Sequence, residues 1–167
     1  MMKHFYVFLM AVAISSNLFA QTPFITTWKT DNPGISKDNQ ITIPTIGFGY
    51  HYTVDWGDGH VETGLTGDGI HLYETPGVYK VSITGNFPSI YFNNAGDREK
   101  ILSVDQWGDI NWKSMTRAFR GCTNLKLNAK DAPDLKEVKD LSGMFEGAIR
   151  FNEPINHWNV SNVQNMS

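Results

Sequence analysis

Seven side chains able to bind a metal or move a proton fall within one short stretch: Asp55, Asp58, His60, Glu62, Asp68, His71 and Glu74. Carboxylates and imidazoles are the ligands of calcium and transition-metal sites. The spacing argues for a plainer role. The stretch has no His-Glu-x-x-His pattern, no paired cysteines and no EF-hand loop. Asp58-Gly59 is a tight-hairpin dipeptide, in which the aspartate bonds its local backbone and the glycine accepts positive φ. His71 alternates with Tyr73 on one strand face, the place of a hydrogen-bonded structural histidine. Most of these groups therefore read as structural. Asp55, Asp58 and Asp68 are kept as candidate ligands of a weak calcium site, and no cofactor is expected. Elsewhere there is no Gly-x-Ser-x-Gly, no Cys–His pairing and no glycine-rich phosphate loop, so no catalytic residue is assigned.

The elements that must position these groups are short strands. Phe24–Trp28, Gln40–Pro44, Tyr50–Trp56 and Val78–Ile83 are rich in β-branched and aromatic residues, and glycines at 57, 59, 64, 67 and 69 mark turns between them. Tyr50, Tyr52, Val54 and Trp56 share one face by period-two alternation. Pro76-Gly77 is a turn that aims Tyr79, Val81 and Ile83 at one sheet face. Strands at this spacing predict an antiparallel sandwich over residues 22–95.

Two strings in this region carry a resemblance. Trp56-Gly57-Asp58-Gly59 and His71-x-Tyr73-x-x-Pro76-Gly77-x-Tyr79-x-Val81 are similar to the signature strings of the polycystin-type (PKD) domain. That resemblance implies an immunoglobulin-like sandwich used as a spacer or adhesion module, without catalysis. The pattern is short after Gly85, and its last strand is expected from Ile90-Tyr91-Phe92.

Residues 96–167 repeat. Met115, Phe119, Gly121 and Leu125 recur as Leu141, Phe145, Gly147 and Phe151, each displaced by 26 positions. Leu135, Val138 and Leu141 return as Val160, Val163 and Met166. Met115, Ala118, Phe119, Cys122 and Leu125 fall at the spacing of an apolar helical stripe, so a short helix per repeat is expected. A unit of this size cannot bury its apolar face alone and must stack on its neighbours. Phe119, Phe145 and Trp158 are then core residues. Cys122, the sole cysteine, aligns with Ala148 and reads as a small buried residue without a disulfide partner or reactive role. Asn159 and Asn165 begin Asn-x-Ser strings, but their recurrence suits side chains that bond their own turn.

The string from Ala118 to Leu125 resembles the A-F-x-x-C-x-x-L unit of bacterial BspA-type leucine-rich repeats. Met144–Ser167 is similar to a longer variant of that unit, and Ile101–Gly108 to its opening strand and cap. The resemblance implies a surface-exposed α/β solenoid used in adhesion. The fold expectation is thus mixed β and α/β: an N-terminal immunoglobulin-like antiparallel β-sandwich followed by a short, incomplete leucine-rich-repeat solenoid. The next Met-Phe-x-Gly segment of the pattern falls just after Ser167, and the chain is expected to be a piece of a longer protein.

Residues 1–20 carry Lys3, an apolar run from Phe5 to Ile14, and Ala20 before Gln21, the pattern of a cleavable export signal. Its removal leaves 13 basic against 17 acidic residues, a net charge of −4. No basic stripe is present, so nucleic acid is not an expected partner. No transmembrane length follows the signal. These features point to a secreted or cell-surface protein that binds an extracellular protein or glycan. An accessory region of an exported hydrolase and a purely structural stalk are the alternatives. Arg117, Arg120, Lys126, Lys130 and Glu146 are the repeat positions left free to meet a partner.

Overall fold

The computed structural model describes residues 20–167, so the expected export signal lies outside the described residues apart from Ala20. Among the described residues eight strands form: β1 (Phe24–Lys29), β2 (Gln40–Ile43), β3 (His51–Asp55), β4 (Val61–Leu65), β5 (Gly69–Leu72), β6 (Val78–Asn86), β7 (Ile101–Gln106) and β8 (Lys126–Leu127). Six of them make one sheet in the order β4-β3-β6-β1-β7-β8, and β2 pairs with β5 in a second. All pairings are antiparallel except that of β7 with β8.

The central strand shows why the sheet forms. In β1 alternate residues Phe24, Thr26 and Trp28 are buried, the period of a strand with one face on the core. Thr26 is the polar member of that row, and its hydroxyl accepts the Trp28 indole N–H at 2.8 Å. On one side β1 pairs with β6 (Phe24 opposite Ile83, Trp28 opposite Tyr79), and on the other with β7. One apolar core runs from Phe24 through Ile41, Val54 and Val81 to Phe119 and Trp158.

The mixed β and α/β expectation is corrected by this structure. No helix occurs among the described residues, the architecture is all-β with two sheets, and an α/β leucine-rich-repeat solenoid is not what forms. The physical reason lies in where the backbone donors go. The N–H groups of Ala118, Arg120 and Cys122 bond back three residues, to Met115, Arg117 and Phe119. The alternate donors of Arg117, Phe119 and Gly121 leave the segment for the carbonyls of Ser142, Met144 and Glu146, at 2.9, 2.9 and 2.8 Å. A helix needs every donor for its own chain. Arg117 (φ 54°) and Gly121 (φ 78°) also sit in the left-handed region, which a right-handed helix cannot contain. The apolar stripe is nonetheless inward: Met115, Ala118, Phe119, Cys122 and Leu125 are all buried, in a coil of turns. The strand expected at Ile90-Tyr91-Phe92 is likewise absent. Ile90 and Phe92 are buried in a segment outside either sheet, and Phe92 donates its N–H to Ala118 O.

A buried charge cluster fixes the loop before β2. Lys100 is fully buried, and its ammonium donates to the carbonyls of Ser36 (3.1 Å), Lys37 (2.7 Å) and Gln40 (2.9 Å). Asp97, also buried, accepts the N–H groups of Ile35, Ser36 and Thr42 at 2.8–3.0 Å. Burial pulls the Lys100 pKa down, against the opposing pull of Asp97, Asp38 and Asp31. Lys100→Met keeps the stem but leaves three carbonyls unmet and Asp97 uncompensated. The expected loss of stability is about 3–5 kcal/mol by urea unfolding. A loss under about 1 kcal/mol would show that the cluster is not a structural tie.

Candidate functional site

Asp55, Asp58, His60 and His71 gather around the β3–β4 turn, while Asp68 lies apart from them, just before β5. Gly57 (φ 80°) and Gly59 (φ 93°) take the conformations that reverse the chain. Asp55 accepts the Gly57 N–H at 2.9 Å, and Asp58 accepts the His60 N–H at 3.0 Å. The other oxygen of Asp58 lies 2.7 Å from His71 Nε2, on β5. His71 stacks on Trp56 and on His60 at ring separations of 4.9 and 5.2 Å, and meets Tyr73 edge-on at 4.5 Å. Tyr73 in turn stacks on Tyr79 at 3.8 Å and donates its hydroxyl to Trp56 O. The result is an aromatic ladder that closes one side of an open polar cleft of about 520 Å³, rimmed by Asp58, His60, Glu74 and Thr75.

Burial by itself would raise the Asp58 carboxyl, but hydrogen bonds from His71 and from the His60 N–H outweigh it and hold it below the usual value. Burial, reinforced by the Asp58 charge, pushes the Tyr73 phenol up and keeps it a donor. An aspartate bonded to histidine is two-thirds of a nucleophilic triad. Here no hydroxyl or thiol among the described residues hydrogen-bonds to the His71 ring, which the carboxylate and the stack hold in place.

The three calcium candidates go to separate partners. Asp55 and Asp58 serve their own turn, and Asp68 accepts the N–H and hydroxyl of Thr45, both at 2.7 Å. Among the described residues no group of three or more His, Cys, Asp or Glu side chains is placed to hold a metal ion. Cys122 is fully buried, and burial lifts its thiol well above the ordinary value. Asn159 and Asn165 each accept the N–H two residues on, at Ser161 and Ser167. Pro76-Gly77 joins β5 to β6, where the Gly77 N–H reaches the Thr30 hydroxyl.

The second region forms a stack. Phe92, Phe119 and Phe145 follow one another with ring separations of 6.3 and 5.8 Å, the latter pair nearly parallel at 9°. Phe151 packs on Phe145 at 4.0 Å, and Trp158 is buried beside Trp107. Arg120 bridges to Glu146 at 2.7 Å on the outside. Lys126 and Lys130 are exposed, as is Arg117. Gly121 and Gly147, both at positive φ, allow the backbones to approach at the turn.

The outer side of this stack is an apolar groove of about 390 Å³ lined by Leu141, Met144, Phe145, Ile155, Trp158 and Met166. Sequence reasoning placed Phe145 and Trp158 among the core residues and did not single out Ile155 or Met166 as groove walls. The signal was present in the displacement of 26: whatever the face of Phe119 requires from the next layer, the face of Phe145 requires too.

Residues 89–167 match a family described as "Mycoplasma protein of unknown function, DUF285". No curated protein and no solved structure matches the chain.

The Asp58–His71 bond gives a pH prediction. Asp58 titrates lower in the folded chain than unfolded, so its contribution is complete above about pH 4 and is lost as pH falls through the folded value. His71→Phe keeps a ring against Trp56 and removes the donor. The stability difference between the native chain and this variant should shrink on acidification from pH 5 to lower values, read by urea midpoints. A difference that widens toward acid would contradict the assignment.

Proposed function

We propose that this chain is a non-catalytic binding protein of adhesion type, acting outside the cell on an extracellular protein or glycan. The supporting observation is the apolar groove at the outer side of the coil stack. Leu141, Met144, Phe145, Ile155, Trp158 and Met166 present a continuous non-polar surface there, with Met166 60 % exposed. An apolar concavity with a polar rim is the chemistry of partner binding, where an aromatic anchor supplies most of the contact energy. The polar cleft at Asp58 and His60 adds hydrogen-bonding groups on a fixed aromatic ladder, suited to hydroxyl-bearing ligands.

Two further lines support the reading. The motif side chains that might have carried chemistry have structural partners: Asp58 in a turn, His71 in a stack, Cys122 in the core. The resemblance of Trp56–Gly59 and His71–Val81 to polycystin-type strings, and of Ala118–Leu125 and Met144–Ser167 to BspA-type strings, favours an exported, surface-associated protein.

The test is binding of the purified chain to extracellular-matrix proteins and to a glycan array, beside a screen of ester, peptide and glycan substrates. Saturable binding to one array member, reduced about tenfold or more by Ile155→Asp in the groove, is the expected result. Turnover of any substrate that a single carboxylate substitution abolishes would overturn it.

A further inference from the structure

The small sheet formed by β2 and β5 has two edges, and they end differently. Ile41 lies opposite His71 and Ile43 opposite Gly69, with Ile41, Ile43 and Gly69 buried. Along an antiparallel strand, successive residues turn their N–H and C=O groups to opposite sides. Thr42 turns its N–H away from β5, to the Asp97 carboxylate at 2.8 Å, and Gln40 turns its N–H to Lys37 O at 3.0 Å. The Gln40 carbonyl accepts from the Lys100 ammonium. The outer edge of β2 is thus closed by the buried charge cluster and its loop. On the other strand, the N–H of Tyr73, just past the end of β5, reaches Asn39 O at 2.8 Å. By alternation His71 also faces β2, whereas Ile70 and Leu72 turn their backbone groups to the far edge of β5. No strand pairs there among the described residues.

Exposed strand edges are normally blunted by a charge, a proline, a bulge or a covering segment. β4, an edge of the larger sheet, carries Glu62, a register shift against β3 and Gly64 at φ 75°. β5 reads Gly-Ile-His-Leu, pairs with β2 without a register shift, and leaves Ile70 and Leu72 each 55 % exposed. The polar cleft adjoins it, lined by His71 and Leu72 together with Asp58, His60 and Glu74. Glu74 is exposed and makes no ion pair among the described residues.

We propose that the free edge of β5 takes an extended segment of a partner polypeptide, alternating apolar and basic residues, as a third and antiparallel strand of the second sheet. Strand addition of this kind draws affinity from the main chain and specificity from alternate side chains. Residues of the segment that exchange hydrogen bonds with Ile70 and Leu72 lie on the same outer face as those side chains, so apolar residues fit there. The residues between them come to the cleft side, where the carboxylates of Asp58 and Glu74 favour lysine or arginine and disfavour an acidic segment. A glycan could bond the open backbone groups but would leave Ile70 and Leu72 in water. This edge is a different surface from the groove at Phe145 and does not depend on it.

The probe is a peptide of alternating lysine and valine, titrated into the intact chain by calorimetry and amide NMR. Saturable binding below about 1 mM is expected, with the Ile70 and Leu72 amides shifted and slowed in hydrogen exchange. In the antiparallel register the valine amides face β5. A peptide N-methylated at its valines should therefore fail to bind, and one N-methylated at its lysines should bind. Ile70→Lys, at an exposed position, should weaken binding about tenfold without moving the urea unfolding midpoint. Glu74→Gln should weaken it by a smaller factor and flatten its dependence on salt. Ile155→Asp in the groove should leave peptide binding unchanged, which separates failure here from failure of the adhesion reading. No binding at millimolar peptide, equal binding of the two methylated peptides, or equal binding of a glutamate–valine peptide overturns the proposal. So does a concentration-dependent dimer that excludes the peptide, which would make a second copy the occupant.

Discussion

Every buried backbone donor in this chain must find an acceptor, and between residues 92 and 151 the solution is to share donors between neighbouring layers. In residues 117–122 alternate N–H groups turn back three residues, and the others cross to the next segment. An unmet buried amide costs as much as several apolar contacts return, so this alternation fixes the conformation of each layer. It also fixes the spacing of the layers and the direction in which they grow. The phenylalanine column, the glycines at the turns and the Arg120–Glu146 bridge all follow from segments held in that register.

The two ends of the described chain are joined by β1. Its pairing with β6 on one side and β7 on the other carries the sheet from the turn-rich first half into the coil stack. Asp105 reinforces that seam by accepting from Thr27, Ser103 and Asn128. Burial opposes its ionisation, but these three bonds prevail and hold its carboxyl low. Asp97 and Lys100 do the corresponding job for the 34–42 loop, at the cost of desolvating two charges. Such a cluster earns its place through geometry, since six backbone groups of one loop are met by two side chains.

The two concave surfaces differ in kind. The cleft at Asp58, His60 and His71 is polar, open and rigid because the rings behind it stack on one another. The groove at Phe145 and Trp158 is apolar.

What the sequence by itself determined is the inventory of buried residues and the local turns. Period-two alternation put Tyr50, Tyr52, Val54 and Trp56 on one face, and the repeat marked Phe119, Cys122 and Leu125 as inward, because burial depends on the order of side chains along the chain. Asp58-Gly59 was legible as a reversal because its geometry is local. The helix was misread for a related reason. An apolar stripe at helical spacing records which residues face the core, and a coil of three-residue turns presents the same stripe. Only the tertiary structure decides between them, since the acceptors of the Arg117, Phe119 and Gly121 donors lie some 25 residues away. Still larger separations hid the tie between Lys100 and residues 36–40, and the pairing of β7 with β1: contacts so far apart leave no pattern in any short window of sequence.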